Sequence, residues 1–264
     1  MERLVLGTGP VRLGADGVKT RSDLRGYFTR TMGVQVRIVA AASYTDLLGQ
    51  LSRDEVHLAW VPPVLAIQAC DTLHATPLVS AIRSPGAQFF GTLFVREASE
   101  IKEPADMRGK KIGWVDKDSC SGYLFPRIAL KAKGFDLANF FAEEKVLGNH
   151  EAVTRAVAAG EVDVGATYLN TDVSSGDASK VIAGYNDITS EPMRPVLRTD
   201  AIPSDMIVAS HAIPDSMRQR ARTVFTRMHE EPEVAANMKH LFGALSFEPA
   251  DIRRYDIVRR AMSA

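Results

Sequence analysis

Short apolar runs alternate with longer amphipathic ones along this chain, the pattern expected of strands and helices in an α/β fold. Leu4–Leu6 predicts a first strand, and Ser22–Met32 a helix with Ser22 as its N-cap. Val34, Val36 and Ile38 share one face of a strand over Val34–Val39. Tyr44–Ser52 reads as a short helix preceded by Ser43. Val56–Val61 is a nearly continuous apolar strand holding Trp60, which is expected in the core rather than stacked on a ligand. Pro62 and Pro63 end that strand and suit the start of a helix over Val64–Ala69. Strands are predicted at Pro77–Arg83 and Phe89–Val95.

The middle of the chain repeats this grammar. A connector over Ile101–Met107 leads to a strand at Lys111–Val115 and a helix from Gly122 to Lys133, stopped by Gly134. Further strands are expected at Glu144–Val146, Val162–Thr167 and Lys180–Ala183, with a helix over His150–Ala159 ended by Gly160. After a strand at Met206–Ala209 the chain turns helical, over Asp215–Glu230, Glu233–Phe242 and roughly Pro249–Met262. The segments near Phe90–Val95 and Met193–Ala201 are the linker candidates. An insertion between them divides the chain into a first lobe of residues 1–92 plus 197–264 and a second lobe of residues 93–196. Two hinge crossings would then leave a cleft between lobes, a usual place for a ligand.

Composition narrows the function classes. With 264 residues, 45% hydrophobic and 24% charged, the chain resembles an ordinary globular protein with a sizeable core. Lys+Arg and Asp+Glu both number 32, so nothing in the overall charge favours nucleic acid or an anionic membrane as partner. No apolar run is long enough to span a bilayer. Met1 is followed almost at once by Leu4-Val5-Leu6, without a charged-then-apolar leader, which leaves export and a cytosolic location both open. Cys70 and Cys120 lack metal-type spacing; one disulfide or two thiols are both compatible with the sequence. No cofactor motif is present: Gly7-Thr8-Gly9 lacks the glycine that a dinucleotide fingerprint requires next.

The chemistry concentrates in Trp114-Val115-Asp116-Lys117-Asp118-Ser119-Cys120-Ser121-Gly122-Tyr123. A strand ends, a polar loop follows and a helix begins. The first N–H groups of that helix have no intrahelical acceptor and point into the loop. Ser119 and Ser121 add hydroxyl donors, so an anion could be held without a formal positive charge. Taken alone, a serine before a helix is an ordinary cap.

The surrounding residues change that reading. Asp106-Met107-Arg108-Gly109-Lys110-Lys111-Ile112, followed by Ser119-Cys120-Ser121-Gly122-Tyr123-Leu124-Phe125-Pro126, resembles a signature of the phosphonate-, phosphite- and phosphate-binding proteins of ABC transporters. Tyr44-Thr45-Asp46-Leu47-Leu48 with Val56-His57-Leu58-Ala59-Trp60-Val61 is similar to that family's first-lobe pattern. Gly148-Asn149-His150-Glu151-Ala152-Val153 with Val157, Gly160, Val162, Asp163 and Gly165 is similar to a further segment of it. The resemblance runs in order over roughly residues 20 to 230. It implies a two-lobed, type II periplasmic-binding-protein fold, a monomer that closes on a small phosphorus oxyanion, an ABC permease as partner and a periplasmic location.

It also implies roles for particular residues. Ser119, the backbone around Cys120, and Ser121 would hold the phosphorus oxygens, with Tyr44 adding a phenolic donor from the first lobe and His150 a donor from its own helix start. Phe90, Asn170 and Asp205 complete the expected ligand set. Phe90 stands where the family often has tyrosine and cannot donate a hydrogen bond, and Cys120 stands where it often has threonine and is a weaker donor. After the Val162–Thr167 strand the chain offers Tyr168 and Asn170, with only Asp205 acidic on the return crossing. That weakens the case for a cationic tail and leaves room for a smaller or neutral-tailed oxyanion.

Two rival readings share this architecture. A thiol enzyme would use Cys120 at a helix start with His150 as its base. A sensory module would bind the same ligand and report to a signalling partner.

Overall fold

The computed structural model describes residues 3–10, 17–83, 89–171 and 181–263. It divides into two compact units, Met1–Pro85 with Ser204–Asp256, and Gly86–Pro203 with Ile257–Ala264. In order along the chain, the first unit opens with β1 (Arg3–Thr8), α1 (Gly17–Met32), β2 (Gln35–Ala40), α2 (Tyr44–Ser52), β3 (Leu58–Val61), α3 (Pro63–Leu73) and β4 (Thr76–Ile82). The second holds β5 (Phe89–Arg96), β6 (Lys111–Trp114), α4 (Phe125–Ala132), β7 (Glu143–Val146), α5 (His150–Ala158), β8 (Val164–Thr171), β9 (Val181–Ala183) and β10 (Met193–Ile202). The chain then returns through β11 (Met206–Ala209), α6 (Asp215–Arg227), α7 (Pro232–Phe242), β12 (Ser246–Pro249) and α8 (Asp256–Ser263).

The first sheet has the order β12-β4-β11-β3-β1-β2. β1 runs parallel to β2 and β3, whereas β11 is antiparallel to β3 and β4. One core joins Leu4, Leu6 and Leu58 of the strands to Leu24 and Phe28 of α1 and Phe225 of α6. Trp60 is core, as expected: its ring meets Phe242 and Phe247 edge-on at 5.4 and 5.9 Å. The second sheet has the order β10-β5-β8-β6-β7, with β9 on β8. Alternation along β5 splits its side chains between two clusters. Leu93 and Val95 pack with Trp114, Leu130 and Phe140, while Phe94 packs with Val153 and Val157 of α5. Helices therefore cover both faces of that sheet.

Several boundaries differ from those the pattern predicts. α1 starts at Gly17, so Ser22 lies inside the helix rather than capping it; the buried positions Gly17, Thr20 and Leu24 carry the helical period further back. Met193–Ile202 is a ten-residue strand paired antiparallel with β5. Pro195 and two register shifts hide its alternation. β12 was not expected, and the strand predicted from Lys180 begins with a residue outside those described. The divisions follow these pairings. All of β5 and β10 belongs to the second unit, which moves the first two boundaries to Pro85/Gly86 and Pro203/Ser204 from 92/93 and 196/197. Ile257–Ala264 is also grouped with the second unit, whereas the sequence reading kept it in the first.

Phe225 is fully buried and meets the rings of Phe28, Phe242 and Phe247. Phe225→Ala is expected to destabilise the first unit by about 3–5 kcal/mol, read as a lower urea midpoint by tryptophan fluorescence.

Candidate functional site

In both sheets, chemistry gathers at the carboxyl ends of the parallel strands, where open α/β sheets bind ligands. β6 runs parallel to β7 and β8, so their carboxyl ends lie along one edge. The turn after β6 and the start of α5 after β7 stand at that edge, beside Thr167–Asn170 of β8.

The turn after β6 is tightly specified. Residues Cys120–Leu124 form a single π-helical turn, in which the Phe125 N–H donates to the Cys120 carbonyl, and α4 continues from it. Ser119 is the N-cap; its Oγ accepts from the Gly122 N–H at 3.0 Å. Gly122 packs on Val115, where an added Cβ would fall 2.4 Å from a valine methyl. Gly91 of β5 passes so close that its Cβ would lie 2.8 Å from the Ser121 carbonyl oxygen. α4 is anchored by Arg127, whose guanidinium stacks over Trp114 and Tyr123 and pairs with Glu144. The Trp114 Nε1–H donates to the same carboxylate at 2.7 Å.

Ser121 is only 4% exposed, and among the described residues its hydroxyl has no hydrogen-bond partner. Cys120 is also buried, and neither cysteine is in a disulfide.

His150 opens α5 behind the cap Asn149. Its Nδ1 lies 2.8 Å from the Thr167 hydroxyl and its ring stands edge-on to Tyr168 at 5.1 Å. Burial lowers its pKa from 6.5 to about 4, so the ring is neutral near pH 7. Nδ1 thus engages Thr167, and no described hydrogen bond joins His150 to Cys120. Asn170 is partly buried and faces Phe89 in the ladder; its side chain has no hydrogen-bond partner among the described residues. Phe90 is 5% exposed and lies under the Arg198 guanidinium, 4.8 Å from the ring centre. It is a packing residue beside this edge. Arg198 was missed in the sequence because its stacking partner lies on a neighbouring strand.

The first unit gathers Tyr44 and Asp205 at the carboxyl end of its own parallel strands. Tyr44 is the first residue of α2, capped by Ser43, whose Oγ accepts from the Asp46 N–H at 3.0 Å. Its exposed ring rests on Gly9, just beyond β1, where an added Cβ would fall 2.2 Å from Cε1. Asp205 precedes β11 beside the end of β3. It is not a solvated turn carboxylate, because it forms an ion pair with Arg83. Burial pushes its pKa up while the guanidinium pulls it down. Tyr255 closes this corner, donating to the Ser204 carbonyl at 2.6 Å and meeting the Ser80 hydroxyl at 3.0 Å.

Among the described residues there is no cluster of three or more potential metal ligands, and no helix is long and apolar enough to cross a membrane.

A protonated His150 is disfavoured in the folded chain, whereas the unfolded chain takes up that proton below about pH 6.5. Its contribution to stability is therefore present at neutral pH and lost as pH falls from 6.5 to about 4. His150→Gln is expected to flatten that part of the urea-stability profile by about 1–3 kcal/mol.

Comparison with known proteins agrees with this geometry. Residues 7–255 match the family model described as "ABC transporter, phosphonate, periplasmic substrate-binding protein". The phosphate-import protein PhnD of Mycolicibacterium smegmatis is 24% identical over 237 residues, covering 86% of this chain and 72% of the relative. Among solved structures, XAC2383 from Xanthomonas citri bound to ATP superposes with a TM-score of 0.80 at 22% identity, covering 100% of this chain and 99% of that one. PhnD1 from Prochlorococcus marinus in complex with methylphosphonate gives 0.77 at 17% identity, covering 99% and 97%. These structural likenesses identify the fold, that of periplasmic substrate-binding proteins.

Proposed function

The chain belongs to the periplasmic substrate-binding family of phosphonate ABC transporters, and we propose that it captures a small phosphorus oxyanion for delivery to a permease. Members of this family are substrate-binding components of transporters and not enzymes, so the thiol-enzyme reading is set aside. The observation that carries the proposal is the Ser121 hydroxyl, which stands at the start of a helix with no hydrogen-bond partner among the described residues. An oxyanion there would accept from Ser121 and from the first N–H groups of the turn, each hydrogen bond to a charged group contributing about 1.5–3 kcal/mol. His150, neutral at pH 7, would offer a donor without a second cation, and Tyr44 a phenolic hydroxyl from the first unit.

In this reading closure follows from the ligand's greater affinity for the closed state. A permease would then recognise the closed form. The family's compartment supports a periplasmic site of action.

The ion pair of Asp205 with Arg83 bears on the ligand's tail. The charge of that carboxylate is already compensated, and drawing it away would cost this ion pair. The ligand is therefore a phosphate, phosphite or simple alkylphosphonate rather than an aminoalkylphosphonate.

Ser121→Ala is expected to weaken oxyanion binding more than tenfold by titration calorimetry, with circular dichroism unchanged. Unaltered affinity in that variant would sink the proposal. Across phosphate, phosphite, methylphosphonate, 2-aminoethylphosphonate and sulfate, a thermal-shift series should give stabilisation by one of the first three. The aminoethyl compound should bind no more tightly than methylphosphonate. Tighter binding of the amine would mean that Asp205 leaves Arg83 for the ligand.

A further inference from the structure

Four arginines converge on a groove in the first unit, at the opposite end of the strands from Gly9 and Tyr44. The groove has a volume of about 660 Å³. Arg3, from the start of β1, and Arg37, from the edge strand β2, line it from the sheet; Arg25 and Arg30 line it from α1. All four are exposed.

Their surroundings differ from those of the surface arginines that carry an ion pair. Arg53, Arg155, Arg218, Arg253 and Arg254 each pair with a nearby carboxylate. Arg30 has Glu231 at 3.3 Å and lies over the Tyr27 ring. Arg3, Arg25 and Arg37 form no ion pair or hydrogen bond among the described residues. A chain with equal numbers of acidic and basic residues thus leaves three guanidiniums uncompensated around one concavity. Such a cluster repels itself and raises the local concentration of counter-anions. Arginines on an edge strand discourage strand pairing, and Arg30 near a helix end favours the dipole. Neither role calls for a shared groove.

We propose that this groove is a second anion site, separate from the oxyanion site, and that it takes a small anion bearing two or more phosphate groups. Guanidinium forks match phosphate oxygens bidentately, so several forks around one concavity suit several phosphates. The volume lies in the range of small-molecule sites, which a single orthophosphate would leave mostly unfilled. Phosphates of this kind come from a free oligophosphate or from lipid headgroups, and the experiment separates these sources.

The chain carrying Ser121→Ala, in which the oxyanion site is weakened, is titrated with tripolyphosphate and, separately, with phosphatidylglycerol vesicles. Two further variants are compared in that background. Arg25→Ala with Arg37→Ala removes two forks. Gly26→Glu brings a carboxylate into the groove, where an added Cβ at Gly26 meets nothing within 4 Å. One-to-one binding of tripolyphosphate that falls more than tenfold in both variants, with circular dichroism unchanged, supports the site and a free ligand. Vesicle binding lost in the same variants supports the site with lipid headgroups as the source. Affinity that is equal in parent and variants, or no binding of either probe by the parent, overturns the proposal.

Discussion

The turn after β6 is held by backbone approaches that leave no space for a side chain. Gly122 lies against Val115 and Gly91 against the Ser121 carbonyl, each nearer than a Cβ could stand. Everything offered to an oxyanion depends on that closeness. The Ser119 cap, the exposed N–H groups and the Ser121 hydroxyl take their directions from a five-residue turn wedged between two elements. Arg127, stacked on Trp114 and Tyr123 and paired with Glu144, holds the helix behind it. Such support matters because a binding group contributes fully only when its orientation is fixed before the ligand arrives.

The electrostatics of the two units differ. In the second, the anion site relies on dipoles and neutral donors: a helix start, hydroxyls and a His150 kept uncharged by burial. The charged groups near it serve packing, Arg198 over Phe90 and Arg127 over Trp114. At the Tyr44 corner of the first, charge is present but balanced between Asp205 and Arg83. Formal neutrality of the whole chain therefore says little about either site. What decides is how each local charge is compensated.

Local chemistry was largely legible in the sequence, and long-range pairing was not. The bounds of Tyr44–Ser52, its Ser43 cap and the loop carrying Ser119–Ser121 could be read because caps, prolines and apolar periods act within a few residues. β10 escaped because Pro195 and two register shifts break the alternation that marks a strand. The π-helical turn escaped because its hydrogen bonds span five residues and leave no periodic trace. The partner of Asp205 is Arg83, 122 residues away, and nothing near either residue announces the other. The stacking of Arg198 on Phe90 was hidden for the same reason. The ligand set was approached chiefly through family resemblance; the structure adds which of those side chains already have occupations.

The ring of Tyr44 lying on Gly9 has a consequence for how this surface can change over generations. A methyl group at position 9 would occupy the place of the ring, so the two residues form one unit of inheritance. Tyr44 can shrink without disturbing Gly9, but Gly9 can grow only if the Tyr44 ring moves aside. Change at this corner is therefore smoother in one order, loss of the ring first and enlargement of the glycine second, because a larger residue at position 9 displaces a returning ring.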